Sequence, residues 1–356
     1  MIQRKKTVEN ICRTVNDTIP KYSDLSYRFV IHQPRKIAMC YVPKTGCTFW
    51  KQVFFTLQSR DKYDSSPAKI FKNKILVHYK PLQRLRDIAF FGEKYQVISQ
   101  STKMMFVRDP YSRLFSAYVD KLVLPEFWTD IGKDTIKQNR RNPDPWALQC
   151  GHDVTFQEFL RRVVIKAQQD FAIMGDEHWY PAFKLCHPCV LKYDIIGKQE
   201  TFSSDRDWIL QWLGIPDIRP AEMPWEDVMV DSMEQSIFVA WTFQPKPPCR
   251  NISLVMERLW TAFKLQGYLP LNISSPVPWP SDFNEMKAVV RSLRNIAPKH
   301  QEFHRRRREA LRRAYSKIPT ELMIKVREAF KYDFLLFGYN TTPKDLYQNR
   351  RLFDHG

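Results

Sequence analysis

Short apolar runs, each closed by a turn residue and followed by a helical pattern, recur along the chain. Ile37 to Val42 is one such run, and its many strand-forming residues predict a buried strand. Pro43 ends this strand, and Gly46 permits a tight turn. From Phe49 to Leu57 the apolar residues recur at helical spacing. The pattern therefore predicts a strand, a loop and a helix in that order.

A second stretch repeats the arrangement. Met104 to Val107 reads as another buried strand, and Arg108 follows at its end. Asp109 is a favourable helix N-cap and Pro110 a favourable first helical residue, so a helix is predicted to begin there. Ser116 lies about two turns further along that helix, at roughly 3.6 residues per turn.

The alternation of strands and helices predicts an α/β fold with an open, mainly parallel sheet flanked by helices. Ligands of such sheets bind at the carboxyl ends of the strands. We expect a polar, stem-like lead-in over residues 1–35, one domain over 36–340 and a tail over 341–356. Further expectations are strands at Ile75–Tyr79 and Val190–Ile196, a partly ordered insertion over 121–151, and a single helix, Ser253–Phe263, within the proline-rich stretch 214–285.

Both loops have the chemistry of anion sites. Backbone N–H groups at a helix start favour a bound anion. Lys44 adds a point charge, and Thr45 and Thr48 add hydroxyl donors. Arg108 together with the Ser116 hydroxyl can hold a second phosphate. The common phosphate-loop motif G-x-x-x-x-G-K-[ST] is absent, and an ordinary strand-to-helix turn is the alternative for either loop alone.

The two loops together resemble the nucleotide-binding motifs of the Golgi carbohydrate sulfotransferases. More narrowly, they resemble the branch that contains the chondroitin, dermatan and N-acetylgalactosamine 4-O-sulfotransferases. Pro43 to Trp50 and Arg108 to Tyr118 match that family's two motifs position by position. Further blocks in family order are Asp176–Trp179, Leu185–Cys189, Tyr193–Lys198 and Asp333–Tyr339.

The resemblance implies a P-loop-like sulfotransferase fold and a donor, 3′-phosphoadenylyl sulfate, used without a metal. It implies that the first loop holds the donor's 5′-phosphosulfate through Pro43, Lys44, Thr45, Gly46, Cys47, Thr48 and Phe49. It implies that the second holds the 3′-phosphate through Arg108, Asp109, Pro110, Tyr111, Ser112, Arg113, Leu114, Phe115 and Ser116. Lys44 is also expected to stabilise charge on the leaving phosphate.

Sulfuryl transfer also needs a base for the acceptor hydroxyl, and histidine is the usual choice near neutral pH. His78 ends a predicted strand between the two loops and is our predicted base. His178 is its competitor; we expect His178 and Trp179 to bind the acceptor, with Trp179 stacked on a sugar face. The alternatives are a packed strand-end histidine and a structural turn.

Composition adds a bias towards anionic partners. The chain of 356 residues has 56 Lys and Arg against 38 Asp and Glu, a formal charge of +18. Its densest basic run, 304–313, is expected to be a solvated helix face. A non-catalytic protein that binds heparin-like or nucleic-acid polyanions through this run is the alternative function. The resemblance instead favours a glycan acceptor on a proteoglycan or glycoprotein, with no nucleic acid.

The seven cysteines leave at least one unpaired within the chain. Cys186 and Cys189 suggest a disulfide or a packed pair rather than zinc, because a single CxxC has no second ligand pair. Four glycosylation sequons, at Asn16, Asn251, Asn272 and Asn340, favour a secretory location.

The resembling family is lumenal in the Golgi and anchored by an N-terminal membrane helix. This sequence contains no apolar run of 18 or more residues. Either it begins after that element, the gene model is incomplete, or the protein departs from the family. The resemblance favours position 4 of N-acetylgalactosamine as the acceptor hydroxyl and leaves the oligomeric state open.

Overall fold

The first compact unit of the fold carries the loop after Ile37–Val42 and the start of the second motif, Arg108–Arg113. The computed structural model describes residues 1–15, 28–63, 82–167, 176–215, 224–276 and 278–347. The chain divides into a first unit of Met1–Arg113, Lys166–Ala221 and Arg327–Thr341, and a second unit of Leu114–Ile165, Glu222–Val326 and Thr342–Gly356.

The described residues form one four-stranded sheet in the first unit. Its strands, in spatial order, are β1 (Phe29–His32), β2 (Ile37–Cys40), β3 (Thr102–Val107) and β4 (Ile195–Lys198). β1 is antiparallel to β2, whereas β2, β3 and β4 are parallel. Met39 is paired with Met104, and Met105 with Ile196. The predicted mainly parallel sheet is confirmed.

Helices make up most of the remaining described chain. The α-helices are Ile2–Val15, Cys47–Tyr63, Phe91–Gln100, Pro110–Tyr118, Lys133–Asn139, Pro145–Cys150, Phe156–Ala167, Ala182–Cys186, Pro188–Leu191, Phe202–Trp212, Trp225–Thr242, Ile252–Gln266, Phe283–Ser292, His300–Ser316, Thr320–Ala329, Lys331–Phe337 and Lys344–Tyr347. Short 3₁₀ turns lie at Leu85–Asp87, Pro125–Phe127, Gln199–Thr201 and Leu293–Ile296, and π turns at Val119–Val123 and Trp128–Gly132.

Both faces of the sheet are buried, because alternate side chains of each strand point to opposite sides. On one side, the alternate residues pack against the helix Cys47–Tyr63 through Trp50 and Phe54, and against Ile209 of Phe202–Trp212. On the other side they pack against the helices Ile2–Val15, Ala182–Cys186 and Lys331–Phe337. Burial on both sides explains why the strands read as continuous apolar runs.

The expectation of a stem-like lead-in before residue 36 is wrong for the described part of that stretch. Residues 2–15 form a helix whose Val8 lies in the apolar core. Arg4 forms an ion pair with Asp205, and Cys12 forms a disulfide with Cys189. Residues 29–32 are the edge strand β1. Sequence polarity misled here because a helix needs only a narrow apolar stripe to pack.

Three disulfides join distant parts of the chain. Cys12 pairs with Cys189 and Cys40 with Cys186 in the first unit, and Cys150 pairs with Cys249 in the second. Cys47 is the free cysteine, which confirms that one thiol is unpaired. The two cysteines of the CxxC segment bond to separate partners rather than to each other.

Three predicted elements need correction. The strand predicted at 190–196 begins only at Ile195, because Pro188 starts a short helix there. The stretch 214–285 contains a second helix, Trp225–Thr242, besides Ile252–Gln266. The insertion 121–151 is built of successive helical turns around the fully buried Trp128.

A membrane-crossing helix, by length and apolar character, is not found among the residues that the structure describes.

Candidate active site

Three loops meet at one edge of the sheet. β2, β3 and β4 are parallel and neighbouring, so their carboxyl ends lie on the same side. The loop at 41–46 follows β2, Arg108 follows β3, and Gln199–Thr201 follows β4. This is the edge at which open parallel sheets bind ligands.

The first loop has an unusual backbone. Lys44 has a φ of 68° and Gly46 a φ of 87°, both in the left-handed region. For a residue with a side chain this region costs about 1–2 kcal/mol. The Thr45 hydroxyl donates to the carbonyl of Val42 at 2.7 Å, so it fixes the loop internally. The helix starts at Cys47, which places the positive end of its dipole at the loop.

Close packing explains why glycine occupies position 46. A Cβ atom there would lie 2.3 Å from the Phe202 ring and 3.0 Å from the Gln199 side-chain oxygen. The loop therefore rests directly on the segment that follows β4. Phe49 forms an edge-to-face contact with the same Phe202 ring, with centroids 5.6 Å apart.

The side chain of Arg108 joins the second motif to the backbone of the first. Arg108 Nη1 donates to the Lys44 carbonyl at 3.2 Å. Asp109 caps the helix as predicted, because its Oδ2 accepts from the Ser112 amide at 2.8 Å. Burial is the main cause that raises the pKa of Asp109, and the nearby carboxylate of Glu200 raises it further. The Asp109 amide donates to Glu200 Oε1 at 2.8 Å.

Arg113 lies inside the protein, with 1% of its surface exposed. Its Nε donates to the Pro43 carbonyl at 3.1 Å, its Nη1 to the Tyr180 carbonyl at 2.7 Å, and its Nη2 to the Glu177 carbonyl at 3.0 Å. Burial lowers the pKa of Arg113 to about 10, so the guanidinium stays charged near neutral pH. Each of its three nitrogens donates to a backbone carbonyl in this structure, and the predicted contact with a phosphate stays a prediction.

The buried carboxylate of Asp333 is the charged group that raises the pKa of Arg113 most. Its two oxygens accept the amides of Ala182 and Phe183, both at 2.8 Å, and so cap the helix Ala182–Cys186. Burial raises the pKa of Asp333 to about 6, against the opposing effect of Arg113 and the two amides. Each group partly offsets the cost of burying the other's charge.

The predicted acceptor segment forms a tight turn at 176–180. Asp176 Oδ1 accepts the His178 amide at 2.8 Å and also contacts His178 Nδ1, which orients the imidazole. Glu177 forms an ion pair with Arg28. Trp179 is 2% exposed, so its ring is buried in this structure, and its predicted stacking on a sugar stays a prediction. Its ring is a packing residue of the turn.

The remaining motif residues divide by burial. The side chains of Tyr111, Leu114 and Phe115 are buried, and the Tyr111 hydroxyl donates to the Thr341 carbonyl at 2.7 Å. They belong to the interior rather than to an open donor surface. Ser116 is half-buried on the same helix as Pro110. His78, the predicted base, lies outside the described residues.

A profile described as "Sulfotransferase family" matches residues 27–234. The match covers more than half of the chain and includes the loop at 41–46, the second motif and the turn at 176–180. The chain belongs to this sulfotransferase family.

Curated relatives in the same family are named carbohydrate sulfotransferases. The chain is 35% identical to carbohydrate sulfotransferase 11 of Danio rerio over 219 residues, which are 59% of this chain and 61% of that protein. It is 34% identical to carbohydrate sulfotransferase 9 of Homo sapiens over 220 residues, 60% of this chain and 48% of that one. It is 29% identical to carbohydrate sulfotransferase 14 of Danio rerio over 221 residues, which are 60% of this chain and 57% of that protein. The matched part thus spans about half to three fifths of these relatives. No solved structure matches the chain.

Sequence reasoning gave no site role to three residues at this sheet edge and beside Arg113, namely Glu200, Asp333 and Tyr339. Glu200 accepts from the Asp109 amide and from the Tyr339 hydroxyl, the latter at 3.0 Å. Burial and this carboxylate raise the pKa of Tyr339. Asp333 holds the start of a helix beside Arg113. The signal for Glu200 is its place just after a strand, but the predicted strand ends at Ile196, two residues before the observed end of β4 at Lys198.

We expect Gly46→Ala to destabilise the protein by about 1–3 kcal/mol, because it adds a left-handed residue and a clash with Phe202. Urea denaturation measures the change. Gly92→Ala is the matched control, since a Cβ at Gly92 meets nothing within 4 Å. Equal stability of the two variants would contradict the close packing described for the loop.

Proposed function

We propose that this protein transfers a sulfuryl group from 3′-phosphoadenylyl sulfate to a hydroxyl of a sugar. The observation that carries the proposal is the hydrogen bond from Arg108 to the Lys44 carbonyl, which brings the two phosphate motifs together at one sheet edge. The names of the curated relatives support a carbohydrate acceptor. Within that class we propose position 4 of N-acetylgalactosamine, or a related residue, in a proteoglycan or glycoprotein glycan.

The loop at 41–46, which we call the donor loop, has features that suit a bound anion. Its helix begins at Cys47, its backbone is held in the left-handed region at Lys44, and Gly46 lies against Phe202. We propose that this helix start and Lys44 hold the 5′-phosphosulfate, and that Arg108 and Ser116 hold the 3′-phosphate. Lys44 then stabilises negative charge that develops on the phosphate oxygen as its bond to sulfur breaks.

Proton removal is assigned to His78 in this proposal. The acceptor oxygen bonds to sulfur as the sulfur–phosphate oxygen bond breaks, and the base takes the hydroxyl proton. His78 is supported by its place in the sequence between the two loops. His178, oriented by Asp176, is assigned to the acceptor side. We also propose a lumenal Golgi location, which the three disulfides support because they are typical of oxidising compartments.

The alternative, a polyanion binder that uses the run 304–313, has less support. In the helix His300–Ser316, Arg305 and Arg306 pair with Glu302, and Arg312 and Arg313 pair with Glu309. Arg308 pairs with Asp345. These ion pairs have the arrangement of a solvated helix face. The polyanion-binding alternative also gives the two phosphate motifs no role.

Adenosine 3′,5′-bisphosphate should stabilise the protein against heat, and ATP much less, because ATP has no 3′-phosphate for Arg108 and Ser116. At a free concentration of about 100 times its dissociation constant, a ligand adds about 2.7 kcal/mol to the free energy of unfolding. Thermal melts with each nucleotide measure this. Equal stabilisation by ATP would refute the proposed donor.

Lys44→Ala should lower kcat at saturating donor by about 10²–10³-fold, as loss of a group that stabilises transition-state charge does. Arg108→Ala should mainly raise the donor KM, because the 3′-phosphate is unchanged by the reaction. Steady-state kinetics on both variants separate the two effects. A Lys44→Ala enzyme with normal kcat would overturn the role given to Lys44.

His78→Ala should lower turnover by about 10²–10⁴-fold and leave nucleotide binding intact, as expected for a lost general base. His178→Ala should instead raise the acceptor concentration needed. The measurements are turnover and acceptor dependence, with adenosine 3′,5′-bisphosphate binding as the folding control. If His178→Ala abolishes turnover and His78→Ala leaves it nearly normal, the base is His178.

A further inference from the structure

The donor loop and the turn at 176–180 share one side chain. Arg113 donates from Nε to the Pro43 carbonyl, at the start of the loop. From its two terminal nitrogens it donates to the carbonyls of Tyr180 and Glu177, at both sides of the His178 backbone. One planar group thus fixes the loop and the turn relative to each other, because its donors have a rigid fork geometry.

The position of the loop depends on a pair of arginines from one short segment. Arg113 holds the carbonyl of Pro43, and Arg108 holds the carbonyl of the next residue, Lys44. These are the two carbonyls at which the chain enters its left-handed turn. Movement of Lys44 therefore has to break a hydrogen bond from a charged donor, which is stronger than a neutral one.

The turn has little freedom of its own. Glu177 is paired with Arg28, Asp176 accepts the His178 amide and contacts its ring, and Trp179 is buried. Arg113 connects this turn to the loop by hydrogen bonds to both. The Arg28 guanidinium, paired with Glu177, also lies over the Tyr41 ring at the start of the loop, 5.9 Å from the ring centroid. The carboxylate of Asp333, on the helix Lys331–Phe337, attracts this guanidinium and favours its charged form, which raises the pKa of Arg113 against the effect of burial.

The geometry points to Arg113 as a positioning residue that couples the donor loop to the acceptor-side turn, so that occupation of the loop orders the turn carrying His178. The inference rests on the proposed function for its biological meaning. Its physical content, the connection of two segments by one guanidinium, can be tested without any ligand.

Hydrogen exchange on Arg113→Lys tests the connection. Lysine keeps the charge but lacks the fork, so we expect exchange in both 41–49 and 176–180 to rise about ten-fold or more, as loss of charged hydrogen bonds predicts. Exchange in β3 should change by less than about two-fold, because a local opening leaves the core closed. An equal rise in β3 would show general destabilisation and overturn the inference, as would a rise in only one segment.

Arg258→Lys is the matched control. Arg258 also donates to two backbone carbonyls, those of Leu122 and Val123, and shares no partner with Arg113. We expect this variant to leave exchange at 41–49 and 176–180 within about two-fold of the unmodified protein, since sites without shared partners act independently. A rise comparable to that of Arg113→Lys would remove the special role of Arg113.

A second experiment repeats the hydrogen-exchange measurements with adenosine 3′,5′-bisphosphate bound. In the unmodified protein the nucleotide should slow exchange in both segments, and in Arg113→Lys it should slow exchange only at 41–49. Protection of 176–180 in the variant would overturn the coupling. If the variant does not fold, the unmodified protein alone tests the coupling. The nucleotide should then slow exchange at both 41–49 and 176–180, and slowed exchange at 41–49 alone would refute the inference. No nucleotide effect on either segment would count against the proposed donor alone, because the ligand-free comparison still tests Arg113.

Discussion

The buried guanidinium of Arg113 is the constraint around which the site is arranged. A charge without partners inside a protein is costly, so the chain must supply acceptors wherever that side chain lies. The carbonyls of Pro43, Glu177 and Tyr180 meet this need, with Asp333 nearby. The loop at 41–46, the helix that begins at Pro110 and the turn at 176–180 are therefore held together, because separation of any one of them would leave buried donors of Arg113 without acceptors.

The features that sequence reasoning located well are those encoded over a few neighbouring residues. β2 and β3 are buried on both faces, so their apolar runs are continuous and easy to recognise. The cap at Asp109 follows from its side chain and from the proline after it. The helix Trp225–Thr242 was missed although Met229, Met233 and Ile237 recur every four residues, because the proline-rich surroundings dominated the interpretation.

Patterns over a few neighbouring residues do not show whether a side chain points into the protein or towards a ligand. Arg113 and Trp179 have residue types that commonly bind phosphates and sugars, and both are buried in packing and backbone contacts here. Whether such a residue faces a ligand or the interior depends on elements far along the chain, such as the helix Lys331–Phe337 that carries Asp333. Glu200 was overlooked for a related reason, since only the true register of β4 places it at the shared sheet edge.

The two disulfides of the first unit have a consequence for the order of events during synthesis. Cys12 and Cys40 bond to partners 177 and 146 residues later in the chain. At about 5–20 residues per second, roughly seven to thirty seconds pass between the appearance of Cys40 and that of Cys186. During that interval the emerged thiols are those of Cys12, Cys40, Cys47 and then Cys150, and an oxidising environment can join them wrongly. Correct maturation then requires thiol–disulfide exchange after the segment 186–189 has emerged.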